Sequence, residues 1–371
     1  METMEVPEAL GIDPEDAPDV REHFTEDTFD GRTYWYLSDA RHGIERGTVI
    51  IDGTVIRGFP SIPRVLVLKT GVPEYFDRPI AVTEKLNGYN VRIAAVGEPL
   101  AFTRGGFVCP FSTAVAREVL DLDAFFRDHP DRMLCTEFIG PENPYTAHEY
   151  PDVDSVEPRV FDICDRETGT SIPVERRREI ASSHGFPQPE LFEIVEPGEA
   201  PARIESIIDD LDQRGREGVV MQSVDGSDRL KYTTGHQHQQ DLAYAFSLPF
   251  DYGRDFLFSR LIREGFQAVE FEERGNELDR RAEQLGKAIL KPMVETIRQV
   301  QSGETVGERH TVRGHPDTIE SLLEHFDRQN VTVSVEGDRT VDGDRVVEFV
   351  KVSDSTRDSI QHFLDGGTID E

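Results

Sequence analysis

From residue 66 to about residue 246 the chain is divided into short apolar, β-branched runs, each closed by a glycine, a proline or a charged side chain. Ile80-Ala-Val-Thr, Leu134-Cys-Thr, Val160-Phe-Asp-Ile and Gly218-Val-Val-Met are of strand length and too short to stand alone as helices. A chain punctuated in this way buries its apolar surface in sheets, so an α+β body of antiparallel sheets flanked by helices is expected. Helical spacing is confined to patches, notably Ser112 to Phe126 and Ile204 to Leu211. Upstream, Thr48-Val-Ile-Ile-Asp and Thr54-Val-Ile-Arg, split by Gly53, predict a β-rich module over residues 1–65, joined to the rest by the two-proline stretch RGFPSIPR.

The period changes after about residue 247. FLFSRLIREGFQAVEF and ELDRRAEQLGKAILKPMVETIRQVQSG read as amphipathic helices, the second ending at Gly303. The final sixty or so residues read as helix (Pro316 to Gln329), hairpin around Asp342-Gly343, and helix (Asp354 to Leu364). Four segments are therefore expected, 1–65, 66–246, 247–310 and 311–371, with a helical C-terminal region and no internal repeat.

No run of about 18 apolar residues is present, which argues against a membrane span. The acidic N-terminal stretch lacks a signal pattern, so a cytoplasmic protein is expected. Cys109, Cys135 and Cys164 are odd in number and widely spaced, which suggests neither a disulfide framework nor a zinc site. Lys and Arg total 40 against 72 Asp and Glu, a net charge of −32, and only six of the basic residues are lysine. With 22 Phe and 9 Tyr the chain is not a disordered polyanion, and the acid excess predicts an ordered, halophilic protein. At molar salt counterion release contributes little, so net charge does not exclude a nucleic-acid partner.

Ile80-Ala-Val-Thr-Glu-Lys-Leu-Asn-Gly-Tyr-Asn-Val-Arg reads as strand, Asn87-Gly88 turn, strand, and taken alone it is an ordinary hairpin. Lys85 closes the first strand, where it is suited to approach a phosphate. A protonated ammonium cannot attack, so a nucleophilic lysine needs neighbours, positive charge or a metal ion, that favour its neutral form. Downstream in order come Arg104 before two glycines, Glu137 near the end of an apolar strand, Phe161 as a flat apolar surface, Glu217 before a β-branched run, and Arg229 and Lys231 on one strand face. Each has a bland reading as turn, core or edge residue; their ordered co-occurrence does not. His236-Gln-His238 reads as polar linker, the Arg176-Arg177-Arg178 run as a solvated helix face, and Tyr145 and Tyr150 as loop residues.

The series resembles the boxes of the covalent nucleotidyltransferase superfamily of ATP-dependent ligases and capping enzymes. Lys85-Leu-Asn-Gly is similar to the lysine-x-aspartate-glycine box, with Asn87 in place of the commoner aspartate, and Asn90 is similar to the asparagine of RNA ligases. TRGG, TEFIGPENPY, VFDI, EGVVM and RLKYTT follow in family order. VIRGFPSIPR and the helical C-terminal region are most similar to the homodimeric archaeal RNA ligases.

The resemblance implies that Lys85 attacks ATP to form a lysine–AMP bond and that Lys231 contacts the α-phosphate. It implies that Glu137 and Arg104 hold the ribose, Phe161 stacks on adenine, and Asn90 positions a metal-bound water. Glu217 would hold a divalent cation, Mg2+ or alternatively Mn2+, or orient Lys85. Glu84 and Gly88, flanking the nucleophile, complete the nucleotide-binding set. Arg229 stands where many relatives carry a second lysine, and Gln222 receives no role. The implied substrate is RNA with 5′-phosphate and 3′-hydroxyl ends, or single-stranded DNA. A DNA ligase, a GTP-using capping enzyme and a non-catalytic RNA-end binder remain alternatives.

Overall fold

The computed structural model describes residues 10–13 and 15–369; most of the first, acidic part of the N-terminal stretch lies outside the described residues. A short helix α1 (Ala17–Glu22) leads into a four-stranded antiparallel meander of β1 (Phe24–Phe29), β2 (Arg32–Leu37), β3 (Val49–Ile51) and β4 (Thr54–Ile56). All three residues of β3 are buried because both faces of this sheet are covered. Val49 and Ile51 pack with Phe102 and Met133 of the body, while Ile50 joins Val20, Leu37 and Val55 on the other side.

The body follows as α2 (Leu68–Tyr75), β5 (Ile80–Lys85), β6 (Tyr89–Val96), β7 (Glu98–Thr103), α3 (Pro110–Val119), α4 (Leu122–Asp128), β8 (Arg132–Ile139) and β9 (Glu157–Asp165). It continues with α5 (Val174–Ser183), β10 (Leu191–Val195), α6 (Ala200–Gln213), β11 (Gly218–Ser223) and β12 (Arg229–Thr233). Two four-stranded antiparallel sheets result, ordered β10-β5-β11-β12 and β7-β6-β8-β9. The single helical patch expected over Ser112 to Phe126 is two helices, because the Asp121 carboxylate accepts from Ala124 N and starts a new one.

The hairpin expected across Asn87-Gly88 is absent: β5 and β6 belong to different sheets. A tight type I′ turn needs positive φ at both central residues, and neither Asn87 nor Gly88 has it. Gly88 instead carries the chain from one sheet to the other, so close to β8 that a Cβ there would lie 2.2 Å from the Phe138 carbonyl oxygen.

The remainder comprises α7 (Gly235–Ser247), α8 (Arg254–Glu270), α9 (Asn276–Ser302), β13 (Gly307–Gly314), α10 (Pro316–Arg328), β14 (Val333–Val341), β15 (Asp344–Val352) and α11 (Asp354–Leu364). Asp342 and Gly343 both have positive φ, as a tight hairpin requires, and Gly303 ends α9 at φ 78°. β13 has no counterpart in the sequence reading; its sequence GERHTVRG is too polar to announce a strand, yet it completes the sheet β13-β15-β14. Phe326, Phe349 and Ile319 of this part pack on Cys109 and Phe111 at the start of α3, fixing it to the body. The residues read as a polar linker, His236 to His238, form the first turn of α7, capped by the Thr234 hydroxyl.

Candidate active site

Strand alternation sorts the chemistry of β5. Val82 and Glu84 face the core formed with α2 and α6, whereas Thr83 and Lys85 face a cavity. Register then brings the distant motifs together. Lys85 lies opposite Gly218, Thr83 opposite Val220, Val220 opposite Lys231, and Gln222 opposite Arg229. Gly218 offers no side chain beside Lys85, and a Cβ there would meet the Tyr232 carbonyl at 2.2 Å. Lys85 Nζ is 2.6 Å from Glu217 Oε2, both side chains being mostly buried.

The second sheet supplies the opposite wall. Asn90 on β6 lies across from Glu137 on β8, and Phe161 projects from β9. Phe161 is braced edge-on by Phe59, with ring centroids 5.1 Å apart. The fully buried Arg92 donates to the carbonyls of Arg57 and Thr103, pinning the backbone beside Arg104. Arg104 reaches Ser61 Oγ at 3.1 Å across the cavity rim. Of the two glycines after it, Gly105 lines the cavity, whereas a Cβ on Gly106 would collide with Tyr36 of the meander. The cleft between the two walls, about 520 Å³, is lined by Lys85, Asn90, Arg104, Glu137, Phe161 and Lys231 among others, a volume suited to a nucleotide.

The electrostatics are those of a buried site with charge of both signs. Desolvation pushes the Glu137 carboxyl up to about 7, with Glu217 adding to the rise and Lys85 and Arg104 opposing it. Burial, then the charges of Arg64 and Lys85, lower Lys231 to about 8. Asn90 Oδ1 is buried without a hydrogen-bond partner, an acceptor left for a bound group. Among the described residues no cluster of three or more His, Cys, Asp or Glu is arranged to hold a metal ion. The residues therefore fit a divalent cation only as one that arrives on substrate phosphates and gains oxygen atoms from Glu217 or Asn90.

Several expectations need correction. Glu84 borders the cavity, but its side chain is on the face of β5 opposite Lys85, with Oε1 3.7 Å from Arg216. Arg229 is not a free phosphate-binding cation: it is bonded to Asp162 and to Ser171 Oγ. Arg177, from the run read as a solvated face, is buried against the same Asp162 at 3.4 Å and donates to Gln222 Oε1 at 2.7 Å. Tyr150 is no loose loop residue; its hydroxyl accepts from Asn87 N at 2.7 Å. Tyr145 lines the cavity and packs on Tyr89. His238 is buried, with Nδ1 3.0 Å from Glu264. No local signal marks Asp162, Tyr150 or His238, each of which has a partner distant in the chain: Arg229, Asn87 and Glu264, 67, 63 and 26 residues away.

Residues 78–233 match the RNA ligase family model, and residues 244–367 match that of the ligase Pab1020 C-terminal region. An uncharacterized protein of Methanocaldococcus jannaschii is 37% identical over 338 residues, 87% of this chain and 85% of its own. Two solved forms of an archaeal ATP-dependent RNA ligase superpose with a TM-score of 0.92 at 40% and 39% identity, covering 98% of this chain and 100% of theirs. A protein of Aquifex aeolicus described as a "Putative ATP-dependent DNA ligase" superposes at 0.89 with 27% identity, covering 96% of this chain and all of its own. A lysine nucleophile candidate in a nucleotide-sized cavity, set in this fold, accords with these likenesses, and the chain belongs to the archaeal ATP-dependent RNA ligase family of covalent nucleotidyltransferases.

Proposed function

We propose that this ligase joins a 5′-phosphate RNA end to a 3′-hydroxyl end through AMP carried on Lys85. The observation that carries the reading is the Lys85–Glu217 pair at 2.6 Å on the wall of a cavity that also holds Lys231, Arg104, Glu137 and Phe161. Phe161 stacks on the adenine, Arg104 and Glu137 hold the ribose, and Lys231 draws the α-phosphate toward Lys85. Glu217 takes the proton from Lys85, whose nitrogen then forms a bond to the α-phosphorus as the bond to pyrophosphate breaks. An oxygen of the RNA 5′-phosphate next attacks that phosphorus, and the P–N bond breaks with the proton returning to Lys85. The 3′-hydroxyl finally attacks the 5′-phosphorus and AMP departs. The chain's contribution throughout is positioning and charge complementarity. Glu217 and Asn90 would hold a Mg2+ ion arriving with the phosphates, and that ion would further neutralise their charge.

Incubation with α-labelled ATP or GTP tests the reading. Label on wild type from ATP but not GTP is expected, followed by sealing of RNA; absence of adduct with either nucleotide refutes it. The family likeness to a protein described as a DNA ligase makes single-stranded DNA the comparison substrate.

Two further properties belong to this proposal. Phe258, Ile262, Phe266 and Val269 form an exposed stripe on α8, with Leu290 exposed on α9, and a second copy of the chain is the proposed occupant. Phe266→Glu should then convert a dimer to a monomer by light scattering. With a net charge of −32, stability should rise with potassium chloride, since at about 1 M the screening length is about 3 Å. A melting temperature that falls with added salt would refute the halophilic reading.

A further inference from the structure

Lys231 has a neighbour that the motif series does not explain. The RGFPSIPR connection runs beside β12, with Lys231 N donating to Pro63 O at 2.9 Å and Val65 N to Lys231 O at 3.2 Å. This short parallel bridge pairs Arg64 with Lys231. Paired residues point to the same side, so Arg64 extends the row Thr83, Val220, Lys231 by one position on the face that carries Lys85. Arg64, Thr233, His238 and, from α8, Arg263 line a pocket of only about 10 Å³, so a phosphoryl group would meet the two guanidiniums at its mouth, beside Lys231.

The surrounding arginines are matched to acids. Arg260 meets Asp241 at 2.9 Å, and Arg281 is paired with Glu264 at 2.7 Å and with Glu273. Among the described residues Arg64 and Arg263 have no carboxylate within ion-pair distance, in a chain with 72 acidic residues. Burial lowers Arg64, and burial with the charges of Arg64 and Arg260 brings Arg263 down to about 10. Two such cations side by side are unfavourable until an anion joins them.

A hydrogen-bond chain aims Arg64. Glu264 Oε1 is 3.0 Å from His238 Nδ1, and His238 Nε2 is 2.7 Å from Thr233 Oγ1. With Nδ1–H donating to the carboxylate, Nε2 is the acceptor for the Thr233 hydroxyl, which in turn accepts from Arg64 Nη1. The order of donors is fixed from α8 through α7 to Arg64.

We propose that Arg64 and Arg263 form, beside Lys231, a phosphate subsite that binds a substrate phosphoryl group other than the α-phosphate, and that Glu264, His238 and Thr233 are positioning residues for Arg64. The planar guanidinium forks suit phosphate oxygens. This rests on Lys85 as the adenylylated residue. The phosphoryl group is either part of the pyrophosphate unit of ATP or the 5′-phosphate of RNA, and the test separates the two.

Full-length Arg64→Ala, Arg64→Lys, Arg263→Ala and Thr233→Val proteins are compared with wild type. Three quantities are measured: the ATP dependence of adduct formation, the pyrophosphate dependence of adduct reversal, and the RNA dependence of AMP transfer from isolated adduct. If the pyrophosphate unit is bound, the alanine variants need about tenfold or more ATP and pyrophosphate while transfer to RNA is unchanged. If the RNA phosphate is bound, the RNA requirement rises by that factor and the ATP requirement is unchanged. Arg64→Lys and Thr233→Val should shift the same quantity by less, and they carry the test if an alanine variant does not fold. Folded variants with all three requirements within twofold of wild type overturn the proposal, as does a lowered maximal rate with no change in any requirement. A wild type that forms no adduct refutes the ligation mechanism itself, a distinct result.

Discussion

Two arginines flank Lys231 on one face of a sheet, Arg229 two residues before it and Arg64 across the bridge. Arg229 belongs to the floor of the cavity, where Asp162, Arg177, Ser171 and Gln222 form a closed network of ion pairs and hydrogen bonds. Arg64 belongs to the edge under α8, where its bonded partner is a hydroxyl. The same residue type is therefore locked in an ion-pair network at one end of the face and left without a carboxylate at the other, where the proposed phosphate subsite lies. Its partner decides which, and the partner lies far away in sequence.

The largest effect expected is at the catalytic edge. Lys85→Ala and Lys85→Arg should abolish the AMP adduct, and Lys85→Arg, which keeps a cation beside Glu217, should do so with little loss of stability. Intact-protein mass spectrometry after ATP treatment reads the adduct, and an adduct of normal yield on either variant would break the division between edge and floor.

The floor should behave in the opposite way. Asp162→Ala leaves Arg177 and Arg229 without their shared buried carboxylate, and a loss of about 3–5 kcal/mol in denaturant unfolding is expected. Arg64→Ala, which removes no ion pair, should cost only about 1 kcal/mol in the same assay. Equal costs would erase the distinction.

Glu137 extends the contrast to the opposite wall through pH. Its carboxyl rises from 4.5 to about 7 on folding, so the folded state binds more protons across that interval. The stabilisation it gives is complete below about 4.5 and lost as pH rises through about 7. Against a Glu137→Gln reference, wild type should lose roughly 1–3 kcal/mol over that range, measured as the pH dependence of unfolding. A flat difference would show that the wall is wetter than its burial implies.

The smallest effect concerns Asn87. Its Nδ2 donates to Gln237 Oε1 at 2.9 Å, while Gln237 Nε2 donates to Asp241 at 2.8 Å. Asn87→Asp turns an acceptor toward an acceptor, and reversing the Gln237 amide only moves the conflict to Asp241. Loss of one hydrogen bond, about 1 kcal/mol, should slow adduct formation a few-fold. A rate equal to wild type in single-turnover kinetics would mean the α7 contact does not hold the nucleophile's loop.

The legible part of the site was what strand alternation and motif order encode. Lys85 closes β5, Arg104 follows β7, and Glu137, Phe161 and Lys231 stand within β8, β9 and β12, all recognisable strands whose alternation turns these side chains to one cavity. What failed were readings that depend on the partner. Asn87-Gly88 has hairpin composition, but whether the following strand returns beside β5 is decided by β8, not by the dipeptide. Arg177 is the middle of three arginines whose spacing suits a solvated helix, and only packing of α5 over Asp162 buries it. β13 takes its strand conformation from β15, which local polarity does not disclose.

The first turn of α7 has a consequence for how this enzyme tolerates change. Thr234 bonds to the carbonyls of Arg216 and Glu217, Gln237 to Asn87, and His238 to Thr233, so three neighbouring residues steady the chain next to Lys85, Glu217 and Lys231. A saturation library selected for ligation should therefore contain a strip of intolerance that runs past the end of the RLKYTT box through Gln237 and His238, where polar side chains bonded to backbone and side chains of the site accept almost no replacement.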